Sequence, residues 1–384
     1  MQKIDAIVIG GGAIGTFHAL HLLRAGKTVV QFERNSKPYS STVQNFGQVV
    51  ASGMKRGFWQ EMGFRSTEIY KELQQRIDLG IRNNGSLYVA STPEEFQVLV
   101  ETAEYFSSIG YPNTLLSKAE TLAKQPYLQT SYVQGGLFFP TEVTAEPRFT
   151  IYQIQQLLSS FNNYKLVTNT FINNVDEGSN GVVVTDAYGT KYLTEKVFIC
   201  TGGEFSALFP QLFLTSNLML VKLNMLLTEP MPEIKLPGSI LTGLTIRRYD
   251  GFKSAPSYAK LKPEEVSQPL KDYGVHILFK QALDGSIIIG DSHEYAEAGN
   301  EESLDFFNDN HINDLMLNEA KRILNLPSWA IRYQWNGFYA QHKTEEVFTH
   351  TIGKNIHICC GIGGKGMTTS AGFTEQHIAG IYSR

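Results

Sequence analysis

The sequence predicts an α/β fold (α+β when the whole chain is counted): a nucleotide-binding unit assembled from discontinuous pieces, with a mostly antiparallel β-sheet unit inserted between them. Three observations carry this expectation. An apolar strand runs into a glycine-rich turn and a helix at the N-terminus. A second glycine-rich turn, again after an apolar strand and before a helix, lies about 350 residues later. Between the two, the apolar runs are short and punctuated by Pro- and Gly-containing loops, the signature of successive strands.

At roughly 100–200 residues per domain, 384 residues allow two or three domains. Lys plus Arg number 33 against 37 Asp plus Glu, a formal charge of −4, which argues against a nucleic-acid partner because such proteins carry a basic excess. With 42% apolar and 18% charged residues, the chain is globular in composition and not disordered. Three cysteines (Cys200, Cys359, Cys360) are too few for a disulfide framework and suit a reducing compartment. Met1 to Asp5 run straight into a strand without a basic-then-apolar leader. No apolar stretch reaches the roughly 18–20 residues that a membrane span needs. A cytoplasmic protein without a transmembrane segment is the expectation.

Ile4-Asp5-Ala6-Ile7-Val8-Ile9 is rich in β-branched residues and reads as a strand buried on both faces. It ends at Gly10-Gly11-Gly12-Ala13-Ile14-Gly15, a G-x-G-x-x-G turn, and a helix follows from Ala13 to about Ala25, with Gly26 at its C-cap. A second strand, Thr28–Phe32, closes on Glu33 and Arg34. Gly10 permits the tight turn, Gly12 lets a pyrophosphate approach the backbone, and Gly15 lets helix and strand pack closely. The N–H groups that open the helix at Ala13 and Ile14 offer partial positive charge to phosphates. Glu33, eighteen positions past Gly15, stands where a carboxylate accepts from ribose hydroxyls and disfavours a 2′-phosphate. The unit as a whole is a Rossmann-like dinucleotide site and fits NAD or FAD equally.

Further elements follow in order. Gly85–Ala90 reads as a strand, Pro93 to about Ile109 and Ser117–Lys124 as helices, and Gly136–Pro140 as a strand. Pro147 opens a helix to about Phe161. Strands are expected at Lys165–Val167, Phe171–Val175, Gly181–Val184 and Val197–Cys200, then mostly strands from Met219 to Ile289 and a helix from Leu304 to about Leu324. The last strand is Ile356–Cys360. Residues 1–84, 141–215 and 331–384 are assigned to the nucleotide unit and 85–140 and 216–330 to the inserted unit.

Gly361-Ile362-Gly363-Gly364-Lys365-Gly366-Met367-Thr368 is the second informative turn. An NAD dehydrogenase has no need of it, whereas FAD gives it a purpose: adenosine on the first turn, isoalloxazine against the second. A helix N-terminus aimed at the flavin N1 and C2 carbonyl stabilises the charge gained on reduction, and Lys365 adds to it.

These motifs resemble the D-amino-acid oxidase-like superfamily of FAD enzymes, which includes glycine oxidase, sarcosine oxidase and D-amino-acid dehydrogenase. The resemblance spans nearly the whole chain. It implies that Ser41-Thr42-Val43-Gln44-Asn45-Phe46-Gly47-Gln48 passes beneath the pyrophosphate and flavin ring, that Phe171 presents its backbone to adenine, and that Cys200-Thr201-Gly202-Gly203 is the family's Ala-Thr-Gly-Ala turn with changed ends. Asn45-Phe46-Gly47, Gly290-Asp291-Ser292-His293-Glu294-Tyr295 and Gly363–Met367 together resemble a bacterial subgroup proposed to oxidise aminophosphonates. Sarcosine oxidases tether flavin through a cysteine near the C-terminal loop. Cys359 and Cys360 lie within a strand, so FAD is expected to be non-covalent.

The activity implied is oxidation of the C–N bond of a small amine-bearing anion, an amino acid or aminophosphonate, with hydride passing to flavin N5, electrons leaving to oxygen or another acceptor, and the imine hydrolysing. A neutral amine lone pair expels the hydride, so no strong side-chain base is required. Arg247-Arg248-Tyr249 is the leading anion clamp, since guanidinium forks match carboxylate and phosphonate oxygens; on a strand only one arginine enters the site. Lys55-Arg56 is the rival. His293 and Tyr295 share a face, and His293 is placed to tune substrate protonation near neutral pH. Tyr339 falls where family members approach the flavin, or packs in the core. His18 and His21, one helical turn apart, lack an acidic or cysteine neighbour in sequence, so no metal is expected. An NAD-linked hydroxy-acid dehydrogenase and a non-catalytic FAD-binding subunit remain the alternatives.

Overall fold

The computed structural model describes residues 4–383; Met1–Lys3, expected to lead into the first strand, and Arg384 lie outside the described residues. Ile4–Ile9 takes a central place in an eight-stranded sheet because it is apolar toward both faces, with Ala6, Ile7 and Val8 fully buried. It pairs in parallel with Val29–Phe32 on one side and Lys191–Ile199 on the other. Tyr164–Val167 and Ile356–Cys360 extend those two sides, also in parallel. The antiparallel strands Phe348–Ile352, Gly181–Asp186 and Ile172–Gly178 complete the sheet. Its strands therefore come from the N-terminal, middle and C-terminal parts of the chain.

Three helices cover one face: Ala13–Arg24, Phe58–Gln74 and Gly366–Tyr382. The first is buried nearly all round, which its run of small and apolar residues permits. Phe17 on it meets Tyr70 edge-on at 5.4 Å, and burying each such ring is worth roughly 2–3 kcal/mol. Gly26 follows at φ +74°, and Lys27 N–H closes back on Leu22 C=O at 3.0 Å.

A second sheet of nine strands runs from Glu294–Glu297 through Leu218–Thr228, Ile287–Gly290, Leu278–Gln281, Ser239–Leu241, Ser86–Ala90 and Gly135–Phe139 to Thr114–Ser117. Only the pairing of Ser239–Leu241 with Ser86–Ala90 is parallel. The ninth strand is Ile331–His342, which pairs antiparallel with Leu218–Thr228 along almost its whole length. Residues 331–342, assigned from sequence to the nucleotide unit, thus belong by hydrogen bonding to the other sheet; their partner lies over a hundred positions earlier and leaves no local signal.

Two further expectations are corrected. Arg247 and Arg248 end a short helix, Gly243–Arg248, because Thr242 and Thr245 form a capping box that overrides the β-branched composition. The helix expected from Leu304 begins at Asn310, where Asp309 caps it through His311 N–H at 2.8 Å; Glu301–Leu304 is a separate 3₁₀ turn. Among the described residues no helix is long and apolar enough to cross a membrane.

Candidate active site

One cavity of about 1010 Å³ joins the two glycine turns. At its first end Gly10 takes φ +114°, and a Cβ there would lie 2.3 Å from Cys200 C=O. A Cβ on Gly15 would lie 2.1 Å from Gly10 C=O, so the helix packs against the turn as closely as backbone allows. Gly12 would meet only the Thr42 hydroxyl, which leaves its cavity side open. Thr42 Oγ1 accepts from Ala13 N–H at 2.9 Å, and Ile14 also lines the cavity. Glu33 is buried, accepting Gly11 N–H and Asn35 N–H, each at 2.9 Å. Arg34 lines the same end, paired with Glu204 at 2.8 Å.

Ser41 and Asn45 to Gln48 form the cavity floor. Asn45 Nδ2 donates to Thr42 C=O at 2.7 Å and its Oδ1 accepts Gly47 N–H at 2.8 Å, which sets the loop. Phe46 is turned into the core. Gln48 Nε2 is buried with no partner. Thr201 and Gly202 follow the strand Lys191–Ile199 and line the first-turn end of the cavity with Phe171, whose carbonyl already accepts Ala187 N–H at 2.8 Å.

At the other end Ile356–Cys360 leads into a 3₁₀ turn, Gly363–Lys365, and directly into the helix from Gly366, whose start has no side-chain cap. Gly363, Gly364, Gly366 and Met367 line the cavity. Thr368 Oγ1 accepts Val50 N–H at 3.2 Å, tying the turn to the floor. Lys365 Nζ lies 2.5 Å from Glu346, so its charge is already partnered and adds less to the field of the turn than the sequence suggested. An open glycine cradle, an unpartnered amide at Gln48 and an uncapped helix start fit a long dinucleotide carried between the turns.

Beside the second turn, Arg248, Tyr249, His276, Asp291, His293 and Tyr339 line one corner. Arg248 is directed there with no carboxylate within ion-pair distance among the described residues; its Nη2 donates to Tyr295 Oη at 3.1 Å. Arg247, one helical step earlier, points elsewhere and is held by Glu95 at 2.5 Å and Glu265 at 2.6 Å. Of the rival pair, Lys55 lines the cavity 3.7 Å from Glu346, and Arg56 lies outside it over the Tyr105 ring. A Cβ on Gly364 would lie 3.4 Å from Tyr339 Oη, so that phenol stands at the second glycine turn. Burial pushes the Tyr249 and Tyr339 hydroxyls well above the ordinary tyrosine range, so both stay protonated donors.

His293 and Tyr295 do share a side, with rings 6.2 Å apart. His293 does not titrate near neutrality: burial pushes it down to about 3, outweighing the pull of Asp291. Sequence reasoning missed His276 as a site residue and read Asp291 only as part of a motif. Their side chains meet at 3.0 Å, Nδ1 to Oδ1, and Asp291 lies 3.8 Å from His293 Nδ1. Burial lowers His276 as well. Burial of Asp291 works toward a higher value, but His276, His293 and Arg248 hold its carboxyl below the usual range. All three cysteines are free and buried.

A family model described as "FAD dependent oxidoreductase" (DAO) matches residues 5–376. The glycine oxidase of Geobacillus kaustophilus (strain HTA426) is 26% identical over 154 residues, 36% of this chain and 39% of that protein. The glycine oxidase of Bacillus subtilis (strain 168) is 26% identical over 155 residues, 38% of this chain and 41% of that protein. The matched segments thus span well under half of those two relatives. The crystal structure of glycine oxidase from Bacillus cereus ATCC 14579 superposes with a TM-score of 0.77 at 18% identity, covering 99% of this chain and 95% of that one, a likeness of fold.

Proposed function

The chain belongs to the DAO family of FAD-dependent oxidoreductases, and from that premise we propose that it oxidises the C–N bond of a small amine bearing an anionic group, an amino acid or an aminophosphonate. The observation that carries this reading is Arg248: a half-buried guanidinium with no carboxylate within ion-pair distance among the described residues, in the same corner as Tyr339, whose hydroxyl lies against Gly364 of the second turn. A cavity-lining guanidinium without an ion-pair partner is suited to an anion from the ligand. The NAD-linked alternative falls with the family assignment.

FAD, when bound, supplies the hydride acceptor at N5. The chain's part is to orient. Arg248 grips the anion as a planar fork, and the Tyr249 and Tyr339 hydroxyls donate to it. His293, neutral in its buried place, serves as a wall and hydrogen-bonding group; it carries no charge to set against the substrate. The aromatic lining keeps water from the reacting carbon. The imine released is then hydrolysed in solvent.

The purified protein should be yellow and should be bleached anaerobically by at least one of glycine, sarcosine, D-amino acids or aminoethylphosphonates, read near 450 nm. Comparing carboxylates with phosphonates identifies the anion. A flavin that no member of the panel reduces points to the non-catalytic alternative.

A further inference from the structure

The proposed oxidation gives His276 and Asp291 no task, and His293 stands beside them. His276, Asp291 and His293 each offer a ligand atom, and these atoms all lie within 4.8 Å of one another. His276 Nδ1 and Asp291 Oδ1, 3.0 Å apart, are both buried without a directional hydrogen bond. The backbone clamps the pair, since His276 N–H donates to Asp291 C=O at 3.1 Å and Asp291 N–H to His276 C=O at 2.9 Å. His293 N–H is likewise fixed, on Tyr273 C=O at 2.7 Å. All three side chains face the cavity.

We propose that His276, Asp291 and His293 form a binding site for a divalent transition metal of the zinc class, open toward the substrate chamber. Two imidazoles and one carboxylate suit Zn²⁺, Co²⁺ or Ni²⁺ and not the oxygen-preferring Mg²⁺ or Ca²⁺. Ligands at about 2.0–2.2 Å from a tetrahedral metal stand roughly 3.5 Å from one another, so small side-chain rotations close the set. Three protein ligands leave a fourth position, and here it opens on the cavity, which is the arrangement of an exchangeable site. A second cluster, His18, Cys359 and His377, also meets the distance condition. There both nitrogens of His18 are engaged, Nδ1 on Ile14 C=O and Nε2 on His377 Nδ1, each at 2.8 Å, whereas His293 spends only Nδ1, on Gly274 C=O at 3.1 Å, and keeps Nε2 for a metal.

The test is equilibrium dialysis of the full-length, FAD-loaded protein against Zn²⁺ after chelator treatment, with bound metal counted by mass spectrometry. One equivalent is expected with a Kd of about 10 μM or tighter. His276→Gln and Asp291→Asn should each weaken it at least about tenfold, and His377→Gln should leave it unchanged. X-ray absorption at the zinc edge of the unmodified protein should show nitrogen and oxygen ligands with imidazole scattering; this readout decides the matter if a variant fails to retain FAD. Absence of an equivalent below about 100 μM, an equivalent indifferent to both substitutions, or a sulfur ligand overturns the proposal. None of these readouts requires an amine substrate, so they stand apart from the reaction proposed above.

Discussion

His18 Nε2 lies 2.8 Å from His377 Nδ1, although 359 positions separate the two residues in the chain. The bond joins the first helix, whose start lines one end of the cavity, to the closing helix, whose start lines the other. Because His18 Nδ1 faces Ile14 C=O and must donate to it, His18 Nε2 is the acceptor and His377 the donor. Burial pushes His18 well below its ordinary value and His377 down to about 4, so the pair is neutral.

His377→Leu leaves His18 Nε2 buried and unpartnered, at an expected cost of about 1–3 kcal/mol in denaturant unfolding of the FAD-loaded protein. The double variant with His18→Leu should cost less than the sum of the two single changes, by about 1 kcal/mol. The folded-state value near 4 against 6.5 fixes the sign with pH: the His377 contribution is present above pH 6.5 and is lost as pH falls toward 4. A strictly additive double variant would show that the bond couples nothing.

Arg248 and Arg247 are neighbours with opposite expected effects. Arg248→Met should raise the substrate KM, or the Kd of a competing anion followed by flavin absorbance, by about 100-fold, near 3 kcal/mol, with little change in unfolding. Arg247→Met removes the partner of Glu95, which is 2% exposed, and should lower stability by about 3–5 kcal/mol while leaving anion affinity within about threefold. If Arg247→Met instead abolishes anion binding in folded protein, the assignment of the clamp is reversed.

What the sequence made readable follows from where the constraints lie along the chain. The first turn packs strand, glycines, helix and Glu33 into thirty-four residues, because one ligand end imposes its chemistry on contiguous backbone. Lys365 was readable as a position but not as an ion-paired one, since its partner Glu346 comes from another loop. His276 and Asp291 are fifteen positions apart and meet through a loop pairing, a spacing that matches no helical or strand period. The helix carrying Arg248 was read as a strand because β-branched residues precede it; the Thr242–Thr245 cap decides otherwise.

Glu33 holds two backbone N–H groups of the first turn. Glu33→Ala should weaken FAD retention by at least about tenfold, measured by fluorescence titration of the apoprotein with FAD, because both the preformed turn and the acceptor for the ribose are lost. Glu33→Gln keeps an acceptor and should fall between. An unchanged FAD affinity in Glu33→Ala would remove this residue from the site.

Glu142 is fully buried, accepting Ser52 N–H at 2.7 Å and the Ser86 hydroxyl. Burial raises its carboxyl to about 7, against the pull of those two bonds. A folded-state value above the unfolded 4.5 means the protonated form is favoured in the fold, so its contribution is complete below pH 4.5 and disappears as pH rises through 7. The span corresponds to about 3 kcal/mol as an upper bound. Glu142→Gln mimics the protonated acid: it keeps one acceptor for Ser52 N–H and offers a donor to Ser86 Oγ. The variant should match the parent at pH 5 and exceed it at pH 8 in thermal unfolding. Equal pH dependence in the two proteins would show that Glu142 titrates in the fold as it does in water.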